Sequence, residues 1–170
     1  MRVLVAVASR HGSTAEIAER LSEVLRETLA ERDPDAVVDL RPVATVRDLN
    51  GYDAIVVGSA LYLGHWLRPA RRFVRDHAAE LRARPVWLFS SGPVGAPSPE
   101  PPDVELGIAE LFGAREHHVF AGRLQRAELG VAERLAVQAV HADEGDFRDW
   151  ADITSWARGI AADLTAGARV

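Results

Sequence analysis

"VLVAVASRHGSTAEIAERL", residues 3 to 21, passes from six apolar residues through a short polar turn into a segment whose apolar positions recur at helical spacing. A strand that is apolar on both faces has to be covered on both, and the helix that follows begins at a turn rich in hydroxyls and glycine. Four further short apolar runs share this character: Ala36 to Leu40, Ala54 to Val57, Pro85 to Phe89 and His117 to Ala121. Between the runs lie helical stripes. Ile17, Leu21, Val24, Leu25 and Leu29 form the first, and Trp66, Ala70, Phe73, Val74 and Leu81 the second. Trp150, Ile153, Ala157, Ile160 and Leu164 form a closing stripe, with Asp149 and Asp152 near its start, where the helix dipole favours negative charge. Fully apolar strands separated by helices predict an α/β, doubly wound, five-stranded parallel sheet.

Two segments break the rhythm. Five prolines in "SGPVGAPSPEPPDVELG", 91 to 107, predict a loop, and Val104, Ile108, Leu111 and Phe112 then predict a short crossover helix. Residues 123 to 146 read as a loop, an apolar helix and an acidic turn. Neither segment is long enough to fold alone, so residues 1–170 are expected to form a single domain.

Composition excludes several chemistries. The chain has no Cys, which removes thiolate metal sites and cysteine nucleophiles, and its 20 basic residues are all Arg, which removes a P-loop lysine. A net charge of −5 with scattered Arg argues against nucleic acid. No apolar run reaches the roughly 18 residues of a membrane span, and no leader pattern follows Met1. A cytoplasmic location is expected, with a peripheral membrane contact left open. His117 and His118 alternate across a strand with no carboxylate at ligand spacing, so no metal site is expected.

In an open parallel sheet, ligands bind beyond the carboxyl ends of the strands. The first strand ends in Ser9, Arg10, His11, Gly12, Ser13 and Thr14, the third in Gly58, Ser59 and Ala60, and the fourth in Ser90, Ser91 and Gly92. Small residues admit a ligand's close approach, and a helix N-terminus with hydroxyls suits a phosphate. "STAE" can also be a capping box in which Ser13 and Glu16 exchange hydrogen bonds. For Ser13 the two readings stand level. The convergence of Ser9, Ser59 and Ser90 on one edge favours a ligand.

"SRHGST" resembles the phosphate loop of the flavodoxin family, T-x-T-G-x-T, with Ser9 and His11 in place of the first two Thr and Ser13 and Thr14 after Gly12. The resemblance runs over nearly the whole chain and implies the strand order 2-1-3-4-5 with FMN as cofactor. It places Ser59, Ala60, Leu61, Tyr62, Leu63 and Gly64 in the loop covering the flavin, with Tyr62 against the ring. Trp66, which opens a helical stripe, reads as core. Ser90, Ser91, Gly92 and Val94 fall on the second flanking loop. "GSALYLGHWLRPARRFV", "SSGPVG", "VFAGRL" and "GDFRDWADITSWA" look like the menaquinone-dependent protoporphyrinogen IX dehydrogenase branch.

That branch implies a hydrogen transfer from a porphyrinogen through FMN to a quinone, with no catalytic side chain assigned. A porphyrinogen's propionates would need cations. Arg68, Arg71, Arg72 and Arg75 follow the flavin loop, although a solvated helix face explains them more simply. Two alternatives remain: an electron carrier exchanging electrons with a redox-protein partner, and a flavin-free interaction module.

Overall fold

The computed structural model describes residues 1–62, 64–92, 113–124 and 144–167. Strands β1 (Arg2–Ala8), β2 (Val37–Pro42), β3 (Ala54–Tyr62), β5 (Val86–Ser91) and β6 (Glu116–Phe120) pair in parallel in the order β2-β1-β3-β5-β6. These are the five expected strands in the expected order. A sixth, β4 (His65–Trp66), folds back antiparallel on the end of β3. A separate two-stranded ribbon joins β7 (Arg123–Leu124) to β8 (Gly145–Asp146).

Alternate residues of β1 face opposite layers. Val3, Val5 and Val7 pack with Ile17, Leu21 and Leu25 of α1 (Ser13–Ala30) and with Trp156 and Ile160 of α4 (Trp150–Gly167). Leu4, Ala6 and Ala8 pack with Phe73 and Val74 of α2 (Arg68–Asp76) and Leu81 of α3 (Ala78–Arg82). Both faces are therefore dry, and truncating a core residue such as Ile17 to Ala costs about 2–5 kcal/mol.

The second helical stripe, whose spacing predicts one helix, is two. His77 leaves helical dihedrals at φ −105° and ψ 16°, and its Nδ1 lies 2.6 Å from Glu80 Oε2, so the chain turns there before resuming. Strand β3 also runs past the expected Val57 to Tyr62. Gly58 makes this possible, because Phe89 lies directly across from it and a Cβ at residue 58 would stand 2.0 Å from the ring. The outer strands are β2, which ends in Asp39, Arg41 and Pro42, and β6, which carries Glu116, His117 and His118. Among the described residues, no helix is long and apolar enough to cross a membrane.

Candidate functional site

Parallel pairing fixes where the strand ends meet. Ala8 lies opposite Ser59, Ser59 opposite Ser90, and Ser91 opposite Phe120. The segments 9–14, 59–62, 90–92 and 121–124 therefore share one edge of the sheet. Gly92, at φ 108°, donates its N–H to Phe120 O at 3.0 Å, and a Cβ on Gly122 would lie 3.4 Å from the Gly92 backbone. Leu63 and Val94, expected in the two flanking loops, lie outside the described residues, as do residues 93–112 and 125–143, on which the proline-rich loop, the short crossover helix and most of the segment expected as loop, helix and acidic turn fall.

The strand-end hydroxyls have different tasks. Ser59 Oγ accepts the Leu67 N–H at 3.0 Å and donates to Ala60 O at 2.9 Å, closing the β3–β4 turn. Ser90, fully buried, accepts the Trp66 indole N–H at 2.8 Å and pairs at 2.8 Å with His117 Nε2. These two hydroxyls are hydrogen-bonded within the fold. Ser9 differs: its Oγ is buried and has no hydrogen-bond partner among the described residues. A hydroxyl buried without a partner costs about 1–3 kcal/mol, so it calls for an explanation.

Beside Ser9, α1 begins at Gly12, whose φ of 83° is left-handed and whose position carries no capping side chain. The capping box is absent. Ser13 Oγ instead accepts the Arg123 backbone N–H at 3.1 Å, and Glu16 is held by two arginines. Arg123 Nη2 lies 3.0 Å from Glu16 Oε1, and Arg148 Nη1 donates to Glu16 Oε2 at 2.7 Å. Hydrogen bonding from Arg148, with further help from Arg123, holds the Glu16 carboxyl below its ordinary pKa despite partial desolvation. Thr14 is buried under this turn, and His11 is half-exposed.

Arg10 stands over the Tyr62 ring at 5.4 Å, so the first and third strand ends touch. Tyr62 itself is 36% exposed, whereas Trp66 is core. Gly64, at the turn between β3 and β4, has φ 77°, and a Cβ there would meet nothing within 4 Å, so its backbone conformation rather than its space requires glycine.

Arg123, Arg148 and Glu16 form a cluster that the sequence does not announce. The available signal was the pair of glycine-flanked segments "FAGRL" and "GDFRDW", whose arginines a one-dimensional pattern cannot connect to residue 16. His118 has a structural role: its Nε2 is 2.9 Å from Asp152 Oδ2, and its Nδ1 is 3.6 Å from Glu116. These contacts tie the edge strand to α4. Among the described residues, no group of three His, Asp or Glu side chains could hold a metal.

The buried unpartnered hydroxyl, the uncapped helix N-terminus and the adjacent Arg10 form a cradle suited to an anionic group. The sheet defines a doubly wound α/β protein, a class in which ligands bind at the carboxyl edge of the strands, and the cradle lies on that edge. A family model for the flavodoxin domain matches residues 4–150, and the chain belongs to that family. It is 24% identical over 176 residues to protoporphyrinogen IX dehydrogenase [quinone] of Escherichia coli K12, covering 95% of each chain. Among solved structures, a flavodoxin from the domain Archaea superposes with a TM-score of 0.66 at 15% identity, covering 97% of this chain and 99% of that one. The rubredoxin oxygen:oxidoreductase of Desulfovibrio gigas gives 0.68 at 16% identity, with 99% of this chain lying on 37% of the larger one.

Proposed function

We propose that this protein is an FMN-binding oxidoreductase similar in activity to quinone-linked protoporphyrinogen IX dehydrogenase. The observation that carries the reading is the Ser9 hydroxyl, buried and unpartnered beside the uncapped N-terminus of α1. That arrangement fits a phosphate. Ser9 would donate to it, the backbone N–H groups of the first turn of α1 would face it, and Arg10 would add charge. Ser13 would take part through its backbone, since its hydroxyl already serves Arg123.

When bound, FMN would supply hydrogen or electron transfer between a reduced substrate, of which a porphyrinogen is the first to try, and a quinone or redox protein. The chain's own contribution is to hold the loops around the cofactor. The Trp66–Ser90–His117 chain of hydrogen bonds fixes the β3–β4 turn against β5 and β6, and so fixes where Tyr62 and Gly64 stand. Backbone groups of Ser91 and Gly92 supply the facing rim.

The test is a visible absorption spectrum of the purified protein after loading with FMN and removal of the unbound excess. Retained flavin absorption supports the reading, and a colourless protein overturns it. Anaerobic turnover with protoporphyrinogen and a menaquinone analogue then tests the substrate class. A loaded protein that takes up electrons singly from a donor and turns over no porphyrinogen is an electron carrier instead.

A further inference from the structure

Helix α2 carries four arginines in nine residues, at positions 68, 71, 72 and 75. The spacing i, i+3, i+4, i+7 puts them in one exposed stripe, opposite the buried Ala70, Phe73 and Val74. Only Arg72 has a carboxylate partner, Asp76 at 3.2 Å; among the described residues Arg68, Arg71 and Arg75 form no ion pair.

The arrangement works against the helix itself. Arg68 and Arg72, and Arg71 and Arg75, are like charges four residues apart. The first turn holds no acid, so Arg68 and Arg71 face the positive end of the helix dipole. A solvated face would be better served by mixed charge. The protein as a whole carries −5, which makes this stripe a local reversal of sign.

The stripe borders a groove of about 700 Å³ between α2 and the 3₁₀ turn Val43–Thr45, lined by Val43, Ala44 and Val46 on one side and on the other by Arg68, Arg72, Arg75 and Asp76, the one acid, which is paired with Arg72. From these observations we propose that the α2 stripe and its groove are the docking surface for an acidic segment of a partner protein. Nine helical residues span about 13 Å, which four or five residues of an extended acidic segment would cover. The exposed side of α2 offers no large apolar side chain to insert into a bilayer, because Phe73 and Val74 are spent on the core. Charge complementarity of this kind steers encounter and rejects wrong partners. Docking here does not require the flavin.

The probe is fluorescein-labelled decaglutamate, followed by fluorescence anisotropy at low and at physiological salt. Wild-type protein is expected to bind at low salt and to bind more weakly as salt rises. Arg71→Glu should weaken binding by about fivefold or more, whereas Arg158→Glu, on α4 across the sheet, should leave it unchanged. The quadruple variant Arg68→Gln, Arg71→Gln, Arg72→Gln and Arg75→Gln should abolish binding while keeping its circular dichroism, since Gln forms helix nearly as well as Arg and removes the like-charge pairs. Three results would overturn the proposal: no binding by wild type, equal binding by the quadruple variant, or equal loss in Arg158→Glu. Stripe-dependent binding to phosphatidylserine vesicles without binding to the peptide would also overturn it and make a lipid surface the occupant instead.

Discussion

The Arg148 guanidinium, 3% exposed, donates to Glu16 at 2.7 Å and so fastens the β7–β8 ribbon to the first turn of α1. It also bonds Asp146 of the ribbon itself and stands 4.5 Å over the Trp150 ring. Arg148→Met keeps much of the stem and removes the charge. It should cost about 2 kcal/mol, part of the loss being offset by water because Glu16 and Asp146 are partly exposed. A fall in Tm of about 6 °C, read by calorimetry, is the expected result.

The same pair sets an acid limit. Hydrogen bonding from Arg148 lowers the pKa of both Glu16 and Asp146. Groups with a lowered folded-state pKa add stability that is present above the unfolded value and is lost as pH falls through the folded one. Wild type should therefore lose Tm progressively below about pH 4.5, and Arg148→Met should show a shallower acid limb. Equal slopes in the two proteins would mean that other carboxyls govern acid unfolding.

A second pH dependence lies higher. Burial, helped by the neighbouring His118, lowers His117 from 6.5 to about 4. Between these two values the unfolded chain binds the proton and the folded chain does not, so stability falls as pH drops from 6.5 toward 4. The full effect is about 3 kcal/mol. His117→Gln leaves Ser90 a partner and should flatten the change in urea midpoint between pH 7 and pH 5.

Gly58→Ala should destabilise by about 1–3 kcal/mol, since its Cβ would meet the Phe89 ring, which has no space to withdraw. Combining it with Phe89→Leu should cost less than the sum of the two single changes. Strict additivity in urea unfolding would mean that the ring is not the obstacle.

Ser9→Ala tests the cradle. It should weaken FMN binding about tenfold and leave riboflavin affinity within about twofold, because the hydroxyl is assigned to the phosphate alone. Equal weakening of both ligands in fluorescence titrations would place Ser9 elsewhere.

The three inner strands were legible because a strand buried on both faces must be apolar throughout, as Val3–Val7 is, and the two outer ones, β2 and β6, because short apolar stretches such as Val37–Val38 and Val119–Phe120 remain in them. The extension of β3 was not, since Gly58, Ser59 and Ala60 read locally as a turn. Only Phe89, on another strand, explains why residue 58 has no side chain. The first turn of α1 was half legible. Its small residues announced a cradle, but "STAE" suggested a capping box, and the competitor for Ser13 comes from Arg123, 110 residues away. Side-chain partners at such distances leave no periodicity in the sequence. For the same reason Ser59, Ser90 and Ser9 look alike in one dimension and are distinguished only by their hydrogen bonds.

The two margins of the sheet bear on how copies of this chain behave when crowded. A bare strand invites a neighbour's strand to add to it. Here one margin closes with Arg41 and Pro42, a charge and a residue that cannot donate to a ladder, and the other carries Glu116 and two imidazoles. Replacing Arg41 and Pro42 with valine would strip that end of β2 of both devices and leave Asp39 as its one charge beside the exposed Val37. At these two margins the guard against strand addition therefore rests on a few rim residues that contribute little to the interior.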